Sequence, residues 1–131
     1  MHKILILVCT ICLITHVTNA QLVPSTKIHF YNAIALLETE IRTSVNQKKP
    51  IVVKPNTWAI IQLTGDSLGF AINNKTYFVH FSPKTQHYFI AQKCNGTLPT
   101  VAKISEQEFV LTVGINSAKG PDSYTLRKSS N

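Results

Sequence analysis

From Ile51 to Arg127 the chain is written in short runs of β-branched and aromatic residues, each broken within a few positions by Gly, Pro, Asn, Asp or Ser. Side chains branched at Cβ pack well on a pleated surface, so this punctuation constrains the fold more than any other feature. It predicts strands near Ile51–Val53, Trp58–Leu63, Leu68–Ile72, Lys75–Phe81, Tyr88–Gln92, Val101–Ile104, Glu108–Ile115 and Tyr124–Arg127. Asn73-Asn74 leaves room only for a tight hairpin, Gly65-Asp66-Ser67 reads the same way, and Ser82-Pro83-Lys84-Thr85 makes a third corner. Strands this closely spaced pair with their sequence neighbours, which gives an antiparallel meander. Alternation within Thr76–Phe81 sends Thr76, Phe78 and His80 to one face and Tyr77, Val79 and Phe81 to the other.

Upstream the period changes. Phe30, Ile34, Leu37, Ile41 and Val45 step by three or four residues and form one stripe of a helix running from about Ser25 to Gln47. Ser25 or Thr26 supplies a cap, and Lys48-Lys49 before Pro50 ends the helix with positive charge at its negative pole. The expected architecture is therefore α+β: one N-terminal amphipathic helix followed by an antiparallel β-meander, as a curved sheet or a small sandwich. The tail beyond Lys128 reads as frayed, and the sequence holds no repeat or low-complexity tract.

The first twenty residues have the layout of a secretory leader: His2 and Lys3, an apolar run from Ile4 to Ile14, then Thr18-Asn19-Ala20. The run is short of the roughly 20 residues that span a bilayer, so cleavage is expected after Ala20 and the product is expected to be secreted or periplasmic. No later segment is long and apolar enough for a membrane span. Residues 21–131 would then form a single domain, with the helix near 25–47 and β structure over 51–128. They keep 12 basic against 6 acidic residues, a net charge of +6. That surface favours anionic partners, although the charge is dispersed and lacks the basic and aromatic interleaving of a nucleic-acid groove. Cys9 and Cys12 leave with the leader, so Cys94 remains alone, as a thiol that is buried, paired with another chain, or reactive. With no disulfide inside it, the domain must be held by core burial alone.

Four patterns bear on chemistry. Gly65-Asp66-Ser67-Leu68, directly after a strand, resembles the nucleophile block of the GDSL esterases and lipases. The resemblance covers these four residues and implies ester hydrolysis with Ser67 as nucleophile. That family's catalytic Asp and His lie a few residues apart near the C-terminus, and nothing of that form follows Asp122. His80 and His87 flank the Ser82-Pro83 corner and are candidate metal ligands, two where zinc ordinarily takes three or four. Asn74-Lys75-Thr76 and Asn95-Gly96-Thr97 are glycosylation sequons at expected turns, relevant in a eukaryotic secretory pathway. Tyr77 and Tyr88, with Lys75 and Lys84, are candidates for a cationic aromatic binding face. Most other aromatics belong to the core. The reading is a non-enzymatic exported binding module without a cofactor, recognising a protein or an anionic surface and no specific nucleic acid. The alternatives are a structural component of an envelope or surface assembly, linked through Cys94 or an open sheet edge, and a small hydrolase using Ser67.

Overall fold

The computed structural model describes residues 25–43, 49–83, 85–94 and 98–126. They form nine strands and one helix: β1 (Thr26–Asn32), β2 (Thr39–Arg42), β3 (Ile51–Val53), β4 (Thr57–Leu63), β5 (Ser67–Ile72), β6 (Lys75–His80), β7 (Gln86–Cys94), β8 (Leu98–Ile104), α1 (Glu106–Ile115) and β9 (Lys119–Leu126). A five-stranded sheet has the order β8-β7-β1-β4-β9, and a four-stranded sheet the order β3-β2-β5-β6. Ile28, Phe30, Ala59, Ile61 and Phe89 of the first sheet share one core with Ile41, Val53, Leu68, Phe70 and Ile72 of the second. Phe70 stacks on Phe30 with ring centroids 4.8 Å apart and meets Phe89 at 5.7 Å. Helix α1 covers the outer face of the first sheet, where Phe109 packs with Tyr31 and Ile90. The result is three layers: helix, mixed sheet, antiparallel sheet.

The N-terminal helix is not there. Its expected span begins with the central strand of the five-stranded sheet and continues through β2, while residues 44–48 lie outside those described. The apolar residues follow a strand period instead: Ile28 and Phe30, two apart, enter the core together, and Ile34 and Ile41 join them from the loop and from β2. Asn32 breaks the segment. Its amide donates to the carbonyls of Leu37 at 2.8 Å and Val53 at 3.0 Å, and its Oδ1 accepts the Ile34 N–H at 3.1 Å, so the chain turns at the point where a helix would continue. Tertiary pairing overrides local period here, because β1 is hydrogen-bonded along both edges.

The meander is corrected as well. β1 pairs antiparallel with β4 from Thr26↔Leu63 to Asn32↔Thr57, but parallel with β7 from Lys27↔Gln86 to Asn32↔Ala91. β4 and β9 are also parallel. Chain neighbours are divided between sheets: Gly65 and Asp66 carry the chain from β4 in one sheet to β5 in the other, where a hairpin was expected. The Asn73-Asn74 turn is a two-residue hairpin, with φ of 48° and 65° that match the two left-handed positions of a type I′ turn.

The segment 108–115, expected as a strand, is the helix. Ser105 caps it by accepting the Glu108 N–H at 3.1 Å, and Glu106 and Glu108 place negative charge at the positive pole. Phe109, Val110, Leu111, Val113 and Ile115 distribute apolar groups around the whole cylinder, so the segment has no amphipathic period to betray it. Ser105-x-x-Glu108 is the one local signal of a helix start.

Candidate functional site

Proton equilibria are shifted at three described groups, His29, Tyr31 and Tyr88, and all three stand on the outer face of the five-stranded sheet. The pleat puts them there: His29 and Tyr31 alternate with the core residues Ile28 and Phe30, and Tyr88 lies beside His29 in the parallel register. Trp58 from β4 completes a row. The imidazole stacks on Tyr88 at 4.5 Å with planes 20° apart and faces Trp58 at 6.4 Å and 18°. Phe109 descends from α1 and makes T-shaped contacts with His29 at 6.0 Å and Trp58 at 5.7 Å.

His29 Nε2 lies 3.0 Å from Gln86 Oε1, which also accepts the Tyr88 hydroxyl at 3.4 Å. Desolvation lowers the His29 pKa, the bond to Gln86 opposes the shift, and Lys27 reinforces it more than Glu106 counters it. Burial raises both tyrosines, with Glu106 adding to the effect at Tyr88. Tyr31 donates to Asn56 Oδ1 at 2.8 Å, and Asn56 Nδ2 donates to the Asn116 carbonyl at 3.2 Å, tying the sheet to the end of α1. The cluster seats the helix.

The other face of α1 has no partner among the described residues. Val110, Leu111 and Ile115 are 62 %, 63 % and 72 % exposed, and a Cβ added at Gly114 would meet nothing within 4 Å. Gln107 and Glu108 flank this strip at its N-terminal end, and α1 contains no basic residue. A ten-residue helix that is apolar on both sides normally has protein on both sides. Periodicity could not single out this strip, because the same lack of polarity hid the helix.

The residues singled out from sequence are dispersed. Ser67 of β5 and His80 of β6 are direct cross-strand partners, yet no hydrogen bond joins their side chains and no carboxylate is bonded to His80. His87 faces inward, buried, with Nε2 2.8 Å from the Ser82 carbonyl and 2.7 Å from Thr85 Oγ1, while His80 is exposed on the outer face of the other sheet. The two histidines do not converge, and no group of three metal-ligating side chains occurs among the described residues. Tyr77 packs against the inter-sheet core and donates to the Pro99 carbonyl, so it and Tyr88 serve different sheets and do not share a face. Lys75 is exposed at the start of β6; Lys84 and Asn95 lie outside the described residues. Asn74 is exposed at its turn. Cys94 closes the β7–β8 ladder opposite Leu98, and its side chain is also outside the description. No helix among the described residues is long and apolar enough to cross a membrane. Compared with family models, curated proteins and solved structures, the chain matches none of them.

Proposed function

We propose that this chain is an exported, non-enzymatic binding module whose partner is another protein, engaged through the outward strip of α1. The observation that carries the reading is the exposure of Val110, Leu111 and Ile115 on a helix whose opposite side is already packed on the sheet. Covering these side chains is worth about 1–2 kcal/mol each, since each is already partly screened, and an apolar groove on a partner could accept the strip in helix-in-groove fashion. The charge of α1 favours protein over an anionic surface. An amphipathic helix that docks on acidic lipid flanks its apolar side with Lys and Arg, whereas α1 carries Glu106 and Glu108 and no cation. Hydrolysis by Ser67 has no such support, because the serine lacks a bonded base.

A photo-crosslinking amino acid placed at position 111 in the protein made by its native host tests this. The expected product is a one-to-one adduct with a single protein species, absent when the crosslinker is moved to position 52 on the other sheet. Adducts with lipid, or none above the position-52 control, would overturn the reading.

A further inference from the structure

The hairpin β5–β6 carries a second feature, on the layer farthest from α1. Asn74 and Thr76 both line an open recess on the outer face of the four-stranded sheet, together with Glu40, Arg42 and Ala71. These are the first and third residues of the sequon Asn74-Lys75-Thr76. Asn74 occupies the second left-handed position of the turn with φ 65°, and both side chains are exposed.

We infer that Asn74 is an N-glycosylation site, and that the folded hairpin is shaped to keep the sugar it receives. In the transfer, Asn74 Nδ2 forms a bond to C1 of the first sugar of a lipid-pyrophosphate-linked oligosaccharide. The bond from C1 to the pyrophosphate oxygen breaks, the lipid pyrophosphate leaves with the electron pair, and the amide proton passes to a base of the transferase. The acceptor needs the hydroxyl two residues on, and here both residues are exposed and border one recess. Ala71 gives that space a small floor, and the Glu40–Arg42 pair gives it a wall whose charged groups hydrogen-bond to hydroxyls. The native fold therefore accommodates the attached sugar without displacing a core residue.

The position also suits the fold's exposed edge. β6 is the last strand of its sheet and presents Phe78 at 76 % exposure, which leaves an open edge with an exposed apolar ring on the modified hairpin. A hydrated carbohydrate at the turn hinders edge-to-edge pairing with another chain. Because Asn74 belongs to the layer opposite α1, its glycan leaves the helix strip accessible.

The inference rests on the export reading, and the experiment separates the two. The full chain is expressed in a eukaryotic secretory cell, and intact mass is measured on the product in the medium before and after peptide-N-glycosidase. Export predicts an N-terminus at Gln21. Glycosylation predicts a mass increment that the glycosidase removes, leaving an aspartate at position 74, and that both Asn74→Gln and Thr76→Ala abolish at that position while Asn95→Gln does not. A secreted chain that starts at Gln21 with unmodified Asn74 overturns the glycan and leaves export standing. A chain that keeps its first twenty residues in the cytoplasm overturns both.

Discussion

Thr39 is fully buried in β2, and its Oγ1 is the one described buried side-chain atom without a hydrogen-bond partner. An unmet buried hydroxyl costs roughly 1–3 kcal/mol, and valine keeps the same branched shape without it. Thr39→Val is therefore expected to raise the unfolding free energy by about 1 kcal/mol in a urea titration, and an unchanged or lowered midpoint would mean the hydroxyl is satisfied. His29 makes the opposite kind of contribution. Its pKa is lowered below the ordinary 6.5, chiefly by desolvation, so the unfolded chain binds the proton more readily than the folded one. The stability it supplies is complete above 6.5 and is lost as pH falls from there through the depressed folded value. His29→Gln should flatten the decline of the urea midpoint between neutral and mildly acidic pH, whereas an unaltered slope would assign that decline to other groups. Lys27 and Glu106, the charges that act on this ring, are unchanged in the comparison.

At the scale of elements, α1 depends on its cap, because its β-branched residues are indifferent helix formers. Ser105→Ala is expected to cost about 1 kcal/mol and Ser105→Asp to recover most of it, read as shifts in thermal midpoint. An Ala variant as stable as the parent would show that docking on the sheet alone fixes the helix. The same element shows what was legible beforehand. Strands β3 to β8 could be read from β-branched and aromatic runs, and a tight hairpin from Asn73-Asn74, because these depend on residues close in sequence. The alternation of Thr76, Phe78 and His80 against Tyr77 and Val79 was legible for the same reason. β1 was not, because Phe30, Ile34, Leu37 and Ile41 satisfy a helical period by coincidence and only pairing with β4 and β7 distinguishes the two. The candidate strip on α1 was hidden together with its helix, although Ser105-x-x-Glu108 was a capping signature in plain view. Candidate site residues chosen by type alone, such as His80 with His87 or Tyr77 with Tyr88, were separated by a partition of strands between sheets that short-range pattern does not encode.

For the molecule as a whole, the layers assign different work to different surfaces. The inter-sheet core of stacked Phe30, Phe70 and Phe89 holds the two sheets together, and no intrachain disulfide is open to residues 21–131, which contain one cysteine. The middle sheet carries the aromatic row that seats the helix, and the helix offers its remaining side outward. The far sheet bears the sequon. On this account a mutation on the outer side of α1 alters association without altering the fold, since Leu111 lies outside both core clusters. The most direct measurement is sedimentation velocity on the protein and its Leu111→Glu variant, each purified without reductant exchange from the native host. The parent is expected to sediment as a one-to-one complex with a second protein and the variant as a monomer of unchanged thermal midpoint. Equal sedimentation of the two would mean that the outward face of α1 is not the binding surface.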